Sequence, residues 1–517
     1  MADDITHYDA IEGYANQQSC MPGDIVQLCA STTSERFDVE VHRWGATREL
    51  VWSARDVPGR VQPTPPDADA AGCGWDPLIE IPTAASWRTG FYLVTMTAHD
   101  AAPDRAISYT GFVARAATRG SVLLVLATNT WNAYNNWGGC SLYTGGKEVS
   151  FRRPWGRGML VRPEVDRQDR KSPPRRPGEA PDIDGDMYQA FRYEHGFPGY
   201  MGSAGWFTYD RRFVEWAERA GFDVDYAISS DLEQVDGLTD GYRLVIGAGH
   251  DEYWSAAGRD TVERFVANGG NYASFSGNTM FWHVRLERDG TSMVCHKYSA
   301  RETDPIGRSD PSAVTGMWAD PVCGRTERGF LGAASMYGLY ARFGHATPRG
   351  VQGFVVYRPE HWLLDGTGLH YGDVLGADEA VVGYETVGTR IAFDDLNLPI
   401  AVPDGDVVAD ALPDDVEIVA LTPVSNLGMG EYPASIAALD DQGDLEFVAE
   451  RIYGGGERAS AKVRHGNAVM LTCRPSGATG GEVVTVGSTD WVFGLARDAD
   501  VQRVTANALS RLGAGDA

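Results

Sequence analysis

Of three strand-like segments, one restricts the fold of this chain most: Ser121–Leu126 ("SVLLVL") is a continuous apolar run, and Arg243–Ile246 ("RLVI") and Asn271–Phe275 ("NYASF") read as further strands. A strand that is apolar on both sides is covered on both sides, as in a parallel sheet with helices on each face. The intervening segments agree with this. "YDRRFVEWAERAG" places Tyr209, Phe213, Trp216, Ala217 and Ala220 on one helical face, with Gly221 set to cap it. "DVDYAI" reads as a strand and "WSAAGRDTVERFVANGG" as a helix. Near the end, "AVMLTCRP" reads as one more strand and "DWVFGLARDADVQRVTANALSRLG" as a closing helix. Strands and helices alternating through short links predict a doubly wound, mostly parallel α/β domain of the flavodoxin or glutamine-amidotransferase type.

At 517 residues the chain is longer than one core usually serves, so further domains are expected. Residues 1–118 read as β only. "DIVQLCAST", "RFDVEVHRWG" and "GFYLVTMTAHD" alternate apolar and polar residues between Gly, Pro and Asp turns, which predicts an immunoglobulin-like β-sandwich. The α/β domain is then expected over 119–294 and completed by 441–517, with 295–440 a β-rich insertion. Residues 152–186 are Arg- and Pro-rich without periodicity and read as a mobile loop, with a lid over a site as the alternative.

Charge narrows the partners. Lys and Arg number 45 against 71 Asp and Glu, a net charge of −26, which argues against nucleic acid or an anionic membrane. "MADDITHYDAIEGY" has no basic region followed by an apolar one, so no secretory signal is expected. No window reaches the roughly 18 apolar residues of a membrane helix. The seven cysteines, Cys20, Cys29, Cys73, Cys140, Cys295, Cys323 and Cys473, are scattered, odd in number and without C-x-x-C spacing. Reduced thiols in a cytoplasmic protein are therefore expected.

In open α/β sheets ligands bind beyond the carboxyl ends of the strands. The three segments are followed by "ATNTWNAYNNWGGCSLY", "GAGHDEYW" and "SGNTMFWHVR", each mixing polar groups with aromatics and glycines. His250 and Glu252 lie two apart, so an extended turn projects them the same way. Tyr134 and Tyr143 offer phenols from a neighbouring strand end. Two phenolates and a carboxylate would form a hard, all-oxygen, anionic set suited to a trivalent iron rather than to zinc. By spacing alone the alternative stands: the tyrosines pack, and Glu252 caps the next helix. Trp131, Trp137, Trp254, Phe281 and Trp282 read equally as pocket walls or as packing.

The runs "ATNTWNAYNNWGG", "SLYTGGKEVSFRRP", "YRLVIGAGHDEYW", "GGNYASFSGNTMFW" and "VVGYE" resemble the large (β) subunit family of N,N-dimethylformamidase. The resemblance covers roughly residues 118–517, and "IEGYANQQSCMPGDIVQLCAST" before it is similar too. It implies a mononuclear ferric iron, Fe(III), held by two tyrosines and a glutamate. Position by position these are Tyr134 in "NAYNN", Glu252 in H-x-E-Y-W, and Tyr143 before "GGKEVSFRRP", with Tyr188 as the competing second tyrosine. It also implies His250, Asn278 of "SGNT" and Glu385 of "VVGYE" as the groups around the metal.

That resemblance implies hydrolysis of the linear C–N bond of a small, N-alkylated carboxamide. The ferric ion would supply hydroxide at neutral pH. Glu385 would move the proton, and Asn278 and His250 would hydrogen-bond the developing oxyanion or orient the water. A homo-oligomer is expected, with a separate small subunit left open. Two rivals remain at this stage. One is an amidase using Cys140 as nucleophile with a nearby histidine. The other is a non-catalytic binding or assembly protein of the same fold.

Overall fold

The computed structural model describes residues 9–165, 167, 170–171, 174, 186–340, 352–408, 410–431 and 443–514. The chain divides into two compact units. The first comprises Met1–Pro163, Phe197–Leu238 and Arg285–Val294, and the second Glu164–Gly196, Thr239–Val284 and Cys295–Ala517.

The first unit opens with eight strands: β1 (Ile11–Ala15), β2 (Ser19–Cys20), β3 (Ile25–Thr32), β4 (Arg36–Trp44), β5 (Arg48–Pro58), β6 (Pro77–Pro82), β7 (Gly90–Ala98) and β8 (Ile107–Ala114). They form two sheets, ordered β1-β3-β6 and β2-β8-β7-β4-β5. Period-2 alternation explains β4, where Phe37, Val39 and Val41 are buried while Asp38, Glu40 and His42 are half-exposed. Those three side chains join Val26, Leu28, Val94, Met96 and Phe112 in one core. Burying each contributes about 1.5–3 kcal/mol.

The same unit includes β9 (Val122–Leu126), β10 (Glu148–Ser150) and β11 (Asp225–Ile228), with β9 and β11 paired in parallel. Helix α1 (Thr128–Tyr134) follows β9, and α2 (Arg211–Arg219) precedes β11. No unit boundary falls at residue 118, and the reason is a set of polar and aromatic ties. Arg43 of β4 pairs with Glu218 of α2 at 2.6 Å, and the Tyr226 hydroxyl donates to the same carboxylate. Trp44 Nε1 donates to Glu215, and the Phe91 and Trp206 rings stack at 4.1 Å. Asp231 accepts from Ser19 and pairs with Arg115.

The second unit contains β12 (Leu244–His250), β13 (Tyr253–Ser255), β14 (Asn271–Gly277) and the start of β15 (Trp282–Glu287), whose far end meets β16 (Ser292–Val294) in the first unit. Helix α3 (Ala256–Ala267) begins where the Ser255 hydroxyl accepts from the Gly258 amide, a side-chain N-cap. The later strands are β17 (Phe354–Val356), β18 (Val374–Leu375), the small hairpin β19 (Ile391–Phe393) with β20 (Pro399–Ala401), then β21 (Glu417–Ser425), β22 (His465–Cys473) and β23 (Val483–Val486); helix α4 (Ala499–Gly513) closes the chain. Seven of these strands form a sheet ordered β12-β14-β23-β22-β21-β17-β18.

β12, β14 and β23 are parallel, whereas β22, β21, β17 and β18 run antiparallel to their neighbours. The change of direction has a simple cause at β22–β23. Residues 474–482 are too few for the crossover of a dozen or more that parallel strands require. Residues 295–440 do not stand apart as a β-rich insertion: β17, β18 and β21 join this sheet, and much of the rest is short 3-10 turns such as Pro305–Arg308 and Trp362–Leu364. Of residues 152–186, the loop with the lid alternative, most of 166–185 lies outside the described residues. Within it, Arg170 donates to the carbonyls of Glu379 and Ala380 and pairs with Asp490 at 3.5 Å.

All seven cysteines are free thiols. Among the described residues no helix is long and apolar enough to cross a membrane.

One buried acid carries a stability prediction. Glu327 is fully buried, and burial pushes its pKa from 4.5 up to about 7 against the weaker opposing pull of the Glu327 and Ser335 amides and of Arg259. At about 1.4 kcal/mol per pKa unit, ionising it in the folded state costs about 3 kcal/mol. Because the folded pKa is raised, this group favours folding below the unfolded value of 4.5, and that contribution is lost as the pH rises through about 7. Glu327→Gln is expected to raise the melting temperature at pH 8 and leave it nearly unchanged at pH 5. A lowered melting temperature at both would mean that the carboxylate is paired when folded.

Candidate active site

The polar residues named from the sequence gather in two places, one in each unit. In the second unit, His250 is the last residue of β12, a strand buried along its whole length. Its Nε2 lies 2.7 Å from Glu385 Oε2 and 3.3 Å from Glu252 Oε2, with all three side chains almost fully buried. Asn278 Nδ2 donates to Glu385 Oε2 at 2.9 Å. One ligating atom from each of His250, Glu252 and Glu385 lies within 4.8 Å of the others. The structure therefore brings His250, Glu252, Asn278 and Glu385 together.

Backbone geometry explains how Glu385, remote in sequence, reaches this place. A Cβ on Gly277 would come within 2.1 Å of the Glu385 carbonyl oxygen and 2.5 Å of the Thr489 amide, so only glycine lets the end of β14 lie against that segment. The Thr489 amide donates to the same carbonyl at 3.0 Å. Asn278 and Tyr384 sit at φ 51° and 49°, in the left-handed region. Such positions concentrate where function over-determines the backbone. Tyr384 meets the His250 ring edge-on at 5.6 Å and accepts a hydrogen bond from Lys171.

The Asn278 amide NH2 donates to Glu385, and its Oδ1, buried, has no hydrogen-bond partner among the described residues. Behind the cluster, burial pushes the Asp251 carboxyl up to about 7, with the Trp254 side chain and His250 opposing.

In the first unit, Tyr134 ends α1 and its hydroxyl donates to the Tyr143 hydroxyl at 2.7 Å, the rings stacked at 4.3 Å. The loop is folded back by the Leu142 amide on the Ala133 carbonyl. Tyr188, the competing tyrosine, lies in the second unit on the helix Asp186–His195, with the Lys171 ammonium 5.9 Å from its ring centre. Each donor group by itself suits a hard cation, because oxygen dominates and no thiol contributes.

Two residues escaped the sequence reading. Tyr200 adds a third ring to the tyrosine pair, 5.1 Å from Tyr143 and 5.9 Å from Tyr134. Lys297 is buried at φ 50°, its ammonium 5.0 Å from the Trp282 ring centre and 5.4 Å from that of Tyr298. Both Lys297 and Glu252 act electrostatically on the Cys295 thiol. The lone signal in sequence is a lysine with aromatic neighbours, which is too common to single out. Of the proposed wall aromatics, Trp131 and Trp137 are packing residues: Trp131 Nε1 donates to Asp210, and Trp137 Nε1 to Glu12.

The Cys140 alternative finds no support in its surroundings. Burial and the neighbouring Asp69 push its thiol pKa up, and no histidine hydrogen-bonds it among the described residues. A nucleophilic cysteine needs a cationic environment that favours the thiolate. Cys140→Ala is accordingly expected to leave turnover within about twofold of the parent in a steady-state assay, and iodoacetamide should not inactivate the protein through this residue.

A buried imidazole and two carboxylates at the carboxyl end of a parallel strand, one carboxylate held by an asparagine amide, form a site of the acid–base type. The family model described as "N,N-dimethylformamidase beta subunit-like, C-terminal" matches residues 36–505, and the chain belongs to that family. Similar curated proteins include the N,N-dimethylformamidase beta subunit of Paracoccus aminophilus, 35% identical over 78 residues, 15% of this chain and 10% of that protein. The N,N-dimethylformamidase beta subunit of an Alcaligenes species is 32% identical over 78 residues, with the same coverage. The matched stretch thus spans about a tenth of the length of either relative.

Proposed function

We propose that this chain is an amidohydrolase that cleaves the C–N bond of a small, N-alkylated carboxamide. The observation that carries this reading is the buried chain of contacts Asn278–Glu385–His250–Glu252. A scaffold has no use for two carboxylates and an imidazole withdrawn from water, since each is costly to bury unless it does chemistry or binds a charge.

Glu385 removes a proton from the attacking water. The hydroxide oxygen bonds to the amide carbon, the C–N bond then breaks, and Glu385 returns the proton to the departing nitrogen. His250 and Asn278 fix the Glu385 carboxylate through its Oε2 atom. The buried Asn278 Oδ1, which lacks a partner, is suited to accept a hydrogen bond from water or from a polarised N–H group. We further propose ferric iron as cofactor, with Tyr134, Tyr143 and Glu252 as its ligands; bound there, it would lower the pKa of water and polarise the carbonyl. The 2.7 Å contact between the two phenols supports Tyr143 over Tyr188 as the second tyrosine.

The test is a visible spectrum of protein expressed with iron supplied. A tyrosinate-to-iron band, lost in Tyr134→Phe together with hydrolysis of N,N-dimethylformamide, is the expected result. A colourless, iron-free sample that still hydrolyses the amide would overturn the cofactor assignment, and one with iron but no amidase activity would overturn the reaction.

A further inference from the structure

We infer that the second unit carries a separate binding site for a phosphate-bearing small molecule. The site is a cleft of about 610 Å³ at the amino ends of β12 and β14. Those strands carry His250 and Asn278 at or just beyond their opposite ends, so this cleft is no part of the acid–base cluster.

Four guanidinium groups line it: Arg243, just before β12; Arg264, in the last turn of α3; Arg474, after β22; and Arg511, in the last turn of α4. In a chain of net charge −26, four arginines on one cleft are a concentrated exception. Arg474 is paired with Glu482 at 3.2 Å and Asp240 also lines the cleft, so the surplus of positive charge rests on Arg243, Arg264 and Arg511. Arg264 reaches only the Thr261 hydroxyl, and Arg511 lies 4.8 Å over the Trp362 ring. Among the described residues neither these two nor Arg243 has a carboxylate at ion-pair distance. A favourable position at a helix carboxyl end accounts for Arg264 and Arg511, and the Glu482 pair accounts for Arg474, but neither accounts for Arg243.

The floor is built rather than incidental. A Cβ on Gly481 would come within 1.7 Å of the Gly270 carbonyl oxygen, so glycine is required for these two loops to meet. The Gly481 amide donates to the Val266 carbonyl, and the Asn271 side chain bridges the Leu512 carbonyl and the Glu482 amide. Guanidinium forks match phosphate oxygens bidentately, which points to phosphate over a single carboxylate. The volume falls within the range of sites for small organic ligands, so a phosphorylated metabolite of nucleotide size fits better than a lone ion.

The experiment is calorimetric titration of the full chain with pyrophosphate at low ionic strength, with AMP, ATP and citrate as further arms. Saturable one-to-one binding of pyrophosphate and ATP is expected. It should weaken by at least about tenfold in Arg243→Ala/Arg264→Ala and persist in the charge-matched Arg308→Ala/Arg458→Ala variant. It should also persist in Glu252→Gln, which separates it from anion capture by a metal at the acid–base cluster. Absence of saturable binding, equal weakening in both double variants, or loss in Glu252→Gln would each overturn the site. Citrate binding as tightly as pyrophosphate would overturn the phosphate assignment.

Discussion

Glu385→Gln is expected to lower kcat for N,N-dimethylformamide by a factor of about 10² to 10⁴, the range that positioned proton transfer contributes, while KM stays within about threefold. The substitution keeps the shape and the hydrogen-bonding reach of the side chain. An amide at this position can still meet Asn278 and His250, so the cluster should stay assembled. What it cannot do is accept a proton from water and return it to nitrogen. Under the ligand assignment proposed above, the visible band should survive in Glu385→Gln and disappear in Glu252→Gln, which removes an anionic donor. The pair of variants thus separates proton transfer from cation binding. Steady-state kinetics with a spectrum of each variant checks both. A kcat within threefold of the parent for Glu385→Gln would remove it from the proton-transfer role.

What the sequence disclosed about this site follows from the range of the interactions involved. The apolar runs before "GHDEYW" and "SGNTMF" mark strands by local pattern, and β12 and β14 lie where those runs are. His250 and Glu252 are neighbours in sequence, so their convergence is a local property of an extended turn. Glu385 is different. It meets His250 because Gly277 lets two backbones approach and because the Thr489 amide fixes its carbonyl, and no pattern near residue 385 records either fact. Resemblance to a family supplied that residue; periodicity could not.

The same distinction governs the fold. Alternation within β4 predicts its buried face, whereas the ties from Arg43 to Glu218 and from Phe91 to Trp206 join segments that local patterns place in separate domains. The antiparallel half of the second unit's sheet was hidden for a related reason. An apolar strand such as β22 reads alike in either direction, and only the length of the link to β23 decides. Tyr200 was passed over because its partners, Tyr134 and Tyr143, are far from it in sequence and aromatic side chains are abundant in this chain.

Arg153→Met should cost roughly 4 kcal/mol of stability, and it should abolish the proposed tyrosinate band although no ligand is changed. Arg153 is buried, and every hydrogen bond found for its guanidinium goes to a main-chain carbonyl: Ser150, Trp137, Cys140, Asn132 and Asn135, at 2.7 to 3.4 Å. Burial pushes its pKa down to about 10, which still leaves it charged near neutrality. Four of the five carbonyls belong to the last turn of α1 and the loop after it, the segments that deliver Tyr134 and Tyr143, and the fifth, of Ser150, ends β10. Methionine fills much of the space but leaves these carbonyls buried and unmet, the costly side of hydrogen-bond removal. The loop can then regain partners only by opening to water, which separates the two phenols. Arg153→Lys should fall between parent and methionine, because an ammonium with three donors cannot reach five acceptors spread around a planar fork. Urea denaturation curves and visible spectra of the two variants check the ordering. A methionine variant as stable as the parent would show that water already satisfies these carbonyls and that the guanidinium does not organise the tyrosine loop.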